Sequence, residues 1–120
     1  MSSSKVHDKL FVAALAVTLA LAAAIAFVTL TPISDTGVPG SDKSHHFIAF
    51  AALAFLLSLS RPRLMPWVVI LAAAYGGAIE LIQPLVWRDR EFLDFVADAL
   101  GAAFGGGIGV TLRWLRGRLP

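Results

Sequence analysis

From Leu10 to Leu30 the chain runs 21 residues without a charged side chain, and only Thr18 and Thr29 interrupt the Ala, Leu, Val, Ile and Phe. At 1.5 Å of rise per residue such a helix is roughly 31 Å long, the thickness of a bilayer's hydrocarbon core. It is expected to be a transmembrane helix; the rival reading, a cleaved signal peptide, has an apolar region of only about 7 to 15 residues. The rest of the chain agrees. Of 120 residues 58% are hydrophobic and 15% charged, where a soluble domain carries about a quarter charged residues. The apolar content excludes disorder, and the lack of any cysteine excludes a disulfide scaffold and thiol chemistry. A pI near 9.5 does not point to nucleic acid, because the net charge is only +2 and the basic residues stand at the ends of apolar segments.

Four spans are predicted, at about 10–30, 42–60, 66–86 and 92–115, as one all-α, integral membrane four-helix bundle over 1–120. Thr31 to Gly40 reads TPISDTGVPG, a loop by its prolines and glycines. Ser41 or Asp42 then offers an N-cap, so Asp42, Lys43, His45 and His46 fall in the first turns of the second helix. Arg61, Pro62 and Arg63 end it. Pro66 suits the first turn of the third helix, and Pro84 kinks or stops it near its end. The fourth span finishes in a basic tail of Arg113, Arg116 and Arg118.

Lysine and arginine resist translocation, and their distribution sets the expected orientation. Four crossings put Lys5, Lys9, Arg61, Arg63, Arg113, Arg116 and Arg118 on one side, against Lys43, Arg88 and Arg90 on the other. Both termini are therefore expected in the cytoplasm of a multi-pass protein of the bacterial inner membrane. Trp67 and Trp114 then sit near the inner interface and Trp87 near the outer one.

An acid inside a span costs several kcal/mol in lipid and is a functional candidate for that reason. Glu80 lies about six residues from the outer end of the third span, roughly 9 Å deep. Asp98 reaches the same depth from the fourth, and Gln83 and Asp94 form a shallower layer. Glu80 with Gln83, and Asp94 with Asp98, have the spacing of a shared helix face. Asp42, Lys43 and His46 join the layer from the second helix, with Arg88 above it in the third loop. The four carboxylates Asp42, Glu80, Asp94 and Asp98 against Lys43 and Arg88 leave a formal −2 with histidine neutral. A charged histidine, a neutral carboxyl, a cation or a cationic ligand group would offset it.

Simpler roles are open to each residue. Asp42 caps a helix; His45, Asp89, Arg90 and Glu91 are solvated or among headgroups; Lys43 and Arg88 anchor the interface. For Glu80, Asp94, Asp98 and Arg88 the simpler role is a buried ion-pair network that holds helices in register. Gly101, Gly105 and Gly109 repeat every four residues, and Gly76 and Gly77 stand on the third span. This pattern favours close helix packing and predicts contact between the third and fourth helices along the acid-bearing face.

The constellation resembles the VanZ-like family of small bacterial membrane proteins, known for a member linked to teicoplanin resistance. The matching residues are DKSHHF from Asp42 to Phe47, EliQ from Glu80 to Gln83, and Arg88-x5-Asp94-x3-Asp98-x2-Gly101, within a stretch from about Ser41 to Gly109. The family pattern usually has asparagine where this chain has Asp98. The resemblance implies a role in the cell envelope and in resistance to envelope antibiotics.

The expected function is an outward-facing polar pocket that binds or modifies the headgroup of an envelope lipid or lipid-linked precursor. Arg88 and Lys43 would meet phosphate, with Asp42, Gln83 and Asp98 as further binding groups. His46, Glu80 and Asp94 are the candidates for general acid or base chemistry. In a variant of this reading His46, Glu80, Asp94 and Asp98 ligate a divalent cation, although no ligand-spacing motif asks for a metal or any other cofactor. The alternative from another class is an accessory subunit whose charged layer only holds the bundle and whose glycine face docks a partner membrane protein. Conduction ranks last, since Tyr75 and Ser58 alone continue the polar layer inward. No phosphate-binding loop, H-E-x-x-H, G-x-S-x-G or dinucleotide fingerprint is present.

Overall fold

A computed structural model describes residues 3–31, 41–86 and 92–118. They form four helices, α1 (Ser3–Leu30), α2 (Ser41–Ser60), α3 (Met65–Ile82) and α4 (Phe92–Arg118), with short 3₁₀ turns at Pro62–Leu64 and Gln83–Val86. No strand occurs among the described residues. Four segments are long and apolar enough to cross a membrane: Lys5–Leu30, Lys43–Ser60, Pro62–Val86 and Phe92–Gly117. The bundle measures 51 × 22 × 22 Å. Its outer surface carries large apolar side chains, Phe27 being 74% and Leu85 79% exposed, as a lipid-facing bundle requires.

A helix forms at each of the four predicted positions, with shifted ends. α1 begins at Ser3 and α4 continues to Arg118, because an apolar run marks the stretch that lipid must surround and a helix can continue past it into polar residues. Pro84 does stop the third helix. The α-helix ends at Ile82 and Gln83–Val86 tightens into 3₁₀ geometry, since the proline has no N–H to offer the Glu80 carbonyl. Trp87, Arg88, Asp89, Arg90 and Glu91 lie outside the described residues.

Contacts at one end of the bundle establish the up-and-down path. Arg61, after α2, pairs with Asp8 of α1 at 2.9 Å, and its guanidinium lies 3.9 Å from the centre of the Phe11 ring. Arg113 of α4 donates to the Leu59 and Ser60 carbonyls at 3.0 and 3.2 Å, satisfying acceptors that the last turn of α2 leaves open. The start of α1, the end of α2 and the end of α4 therefore share one end. The starts of α2 and α4 and the end of α3 share the other.

α2 packs most extensively on α4, while α1 touches α2 and α3 and makes no interface with α4 among the described residues. Side-chain size accounts for the closeness of α2 and α4. A Cβ at Gly101 or Gly105 would overlap the carbonyl oxygens of Phe47 and Ala51, and one at Gly109 would fall 2.7 Å from the Phe55 oxygen. Each step of four along α4 matches a step of four along α2, which is the register of parallel helices meeting backbone to backbone. Behind this seam Phe50, Ala54 and Ala102 are wholly buried, with Leu53, Ala72 and Ile79.

This corrects the expected use of the glycines. The stripe Gly101, Gly105 and Gly109 meets α2 rather than α3. The α3–α4 contact instead uses Gly76 and Gly77, which approach Asp98 and Phe95, and Gly106, which approaches Val69 and Met65. Spacing shows that one face is narrow but does not show which neighbour fills it.

Gly105→Ala is expected to cost about 1–3 kcal/mol, the usual range for overpacking, because the atoms the new methyl would meet all belong to the Ala51 backbone. Gly107→Ala, where a Cβ meets nothing within 4 Å, is expected to lose no stability. Thermal unfolding of the two variants in one detergent checks the contrast.

Candidate functional site

The glycine seam also determines where the polar residues meet. His46 precedes Phe47 on α2, and Asp98 stands three residues before Gly101 on α4, so the contact of Phe47 with Gly101 brings the two side chains together. His46 Nδ1 and Asp98 Oδ1 are hydrogen-bonded at 2.6 Å. The other ring nitrogen, Nε2, is 3.6 Å from Asp94 Oδ2, and Lys43 Nζ is 3.8 Å from Asp94 Oδ1. Lys43, Asp94, His46 and Asp98 thus form a chain of charge and hydrogen bonding. It runs from a rim where the lysine side chain is 40% exposed to a carboxylate with no exposure at all.

Local structure supports the acids here. Asp94 lies in the first turn of α4, where the open N–H groups and the positive end of the helix dipole favour a negative side chain. α2 starts at the same end, so two helix N-termini face this layer. Glu80, one turn after Gly76 on α3, is buried at 5% exposure and lies within electrostatic reach of His46. Gln83 is 2% exposed and donates from Nε2 to the Thr29 carbonyl of α1 at 3.3 Å.

Of the eight predicted site residues, Lys43, Asp94, His46 and Asp98 are linked in one chain of contacts, with Glu80 close by. Gln83 shares the layer but reaches toward α1. Asp42 lies in the first turn of α2 by its backbone, and its side chain falls outside the described residues, as does Arg88. Thr29 and Gly76 were not singled out as site residues. Thr29 takes part through a backbone carbonyl, which residue type does not reveal. Gly76 stands four residues before Glu80 and seven before Gln83, so its place on the acid-bearing face was readable from spacing.

The layer is closed rather than cupped: His46, Glu80, Gln83, Asp94 and Asp98 are all buried. Two of its polar atoms, Asp98 Oδ2 and Gln83 Oε1, make no hydrogen bond among the described residues. Those residues also contain no group of three or more His, Asp or Glu arranged to hold a metal ion, so the possible ligand set His46, Glu80, Asp94 and Asp98 is not assembled as one. An apolar groove of about 340 Å³ lies elsewhere, on the outward face of α4 beside Gly107. Toward the other end of the bundle, Phe50, Ala54 and Ala102 form a sealed apolar plug. Ser58 lies beyond it, and the Tyr75 hydroxyl is tied to the Ala22 carbonyl of α1.

Compared with known proteins, the chain matches no family model, no curated protein and no solved structure.

Removing one partner of a buried charged pair strands the other, at a typical cost of about 3–5 kcal/mol. Asp98→Ala is expected to fall in that range by thermal or denaturant unfolding. Asp98→Asn keeps an acceptor for the His46 Nδ1–H and should cost clearly less. Asp8→Ala, which breaks the exposed pair with Arg61, should stay within about 1 kcal/mol of the parent.

Proposed function

We propose that this chain is a multi-pass protein of the bacterial inner membrane that binds the polar headgroup of an envelope lipid or lipid-linked precursor. Binding takes place at the end of the bundle where Lys43, His46, Asp94 and Asp98 meet. In this reading both termini are cytoplasmic and the headgroup approaches from the outer side, past Lys43 and the loop that carries Arg88. Those two cations suit a phosphate, while His46, Glu80 and Asp94 suit hydroxyl or amine groups of the headgroup and could exchange protons with them. The resemblance of DKSHHF, EliQ and the Arg88-to-Gly101 run to the VanZ-like family favours the same compartment, and a part in resistance to envelope antibiotics such as teicoplanin follows from it.

The observation that carries this reading is the incomplete satisfaction of a buried network. A layer whose only task is to hold helices together is best when every polar atom is matched, because an unmatched one in low dielectric is costly. Here a wholly buried carboxylate oxygen and a buried amide oxygen have no hydrogen-bond donor among the described residues. A headgroup with hydroxyl or ammonium donors supplies what they need.

A second reading has its own support. The 2.6 Å contact of His46 with Asp98 and the burial of every acid in the layer suit a structural lock in an accessory subunit. Conduction has none, because the plug of Phe50, Ala54 and Ala102 separates the polar layer from Ser58.

Purified full-length protein in detergent, titrated with short-chain phosphatidylethanolamine and phosphatidylglycerol, is expected to gain thermal stability from one headgroup more than the other. A site filled at a hundredfold excess over Kd contributes about 2.7 kcal/mol. His46→Ala and Glu80→Gln should each remove that gain. Equal response to both lipids, or the same response in the variants as in the parent, would leave the lock as the function of the layer.

A further inference from the structure

We propose that Gly76 is a positioning residue for His46: the space left by its missing side chain seats the buried Asp98 carboxylate, which in turn holds a proton on His46 Nδ1 and turns Nε2 toward Asp94 and the Lys43 rim. A Cβ on Gly76 would lie 2.6 Å from Asp98 Oδ2, 3.0 Å from its Cβ and 3.2 Å from its Cγ. All three nearest atoms belong to this one side chain. The neighbouring Gly77 differs, since a Cβ there would meet only the Phe95 ring at 3.4 Å, an ordinary packing distance.

Gly76 sits in the interior of α3, where glycine weakens a helix and no turn calls for it. Space is then the reason for it. Asp98 has no exposure, so a carboxylate displaced by a new methyl group stays among buried atoms, and the hydrogen bond its other oxygen makes with His46 is disturbed. That contact is short, 2.6 Å from Oδ1 to Nδ1, and a carboxylate accepts only from a ring nitrogen that carries hydrogen. Nε2 is left facing Asp94 Oδ2 at 3.6 Å, beyond hydrogen-bond distance. A small residue on α3 thus controls a ring on α2 through an acid on α4. An imidazole held at one nitrogen by a buried carboxylate presents the other in a defined direction. The inference deepens the headgroup reading by naming Nε2 as the ring atom offered to a ligand, and its test needs no ligand.

The test is nitrogen-15 NMR of the full chain with labelled histidine, in which the signals of His46 are separated from those of His7 and His45 by the His46→Gln variant. The wild type is expected to show a protonated Nδ1 with a downfield, slowly exchanging N–H resonance. Gly76→Ala should lose that resonance, Gly77→Ala should keep it, and Asp98→Asn, which retains an acceptor oxygen, should keep it as well. A wild-type ring with its proton on Nε2 and none on Nδ1 would overturn the proposal, as would an unchanged resonance in Gly76→Ala. If Gly76→Ala folds too poorly for spectra, its effect on the thermal midpoint is read in the Asp98→Ala background, where it is expected to be clearly smaller than in the parent because the Asp98 Oδ2 and Cγ are gone. An equal loss in both backgrounds overturns the proposal too. A wild type that shows the expected resonance yet binds neither phospholipid removes the headgroup function while upholding the role of Gly76.

Discussion

Everything distinctive in this molecule depends on how closely α2 and α4 approach each other. In lipid the hydrophobic effect does not drive helices together, so association rests on dispersion contacts and on polar groups that seek partners. Three glycines four residues apart let the α4 backbone lie against the carbonyls of Phe47, Ala51 and Phe55. The same proximity allows His46 to reach Asp98 at 2.6 Å. With larger residues in the stripe the two helices would separate and two ionisable groups would face hydrocarbon unmatched. Packing and electrostatics are therefore one feature here, not two.

The polar layer is graded. Lys43 reaches solvent, Asp94 has the support of a helix N-terminus, His46 bridges, and Asp98 is sealed. Such a gradient keeps the costliest charge closest to its best partner and leaves the weaker contacts, 3.6 and 3.8 Å long, near the surface where water or a headgroup can share them. The opposite end of the bundle is built differently. There Arg61 and Arg113 serve the structure, one stacked on Phe11 and paired with Asp8, the other closing the carbonyl end of α2.

Much of this was legible in the residues alone. The length of the apolar runs sets the number of helices, Pro84 marks where the third one tightens, and the positions of Glu80, Asp94, Asp98 and His46 relative to the helix ends place them at one level. The glycines were legible as a narrow face and misassigned as to neighbour. A spacing of four describes a single helix surface and is silent about which of three other helices lies against it. Gly76 illustrates the same limit, because its importance lies in an atom of Asp98, 22 positions further along the chain.

What the sequence by itself determined is the kind and number of elements: four apolar stretches of bilayer length call for helices that satisfy their own backbone, and four helices long and apolar enough to cross a membrane are what form. What only the tertiary structure decided is pairing. Whether an acid in a span faces a histidine, a lysine or a glycine's vacant side depends on the rotation of each helix about its axis and on which backbones can touch. Both follow from the summed fit of small side chains across an interface, a property of two surfaces together that neither segment carries alone.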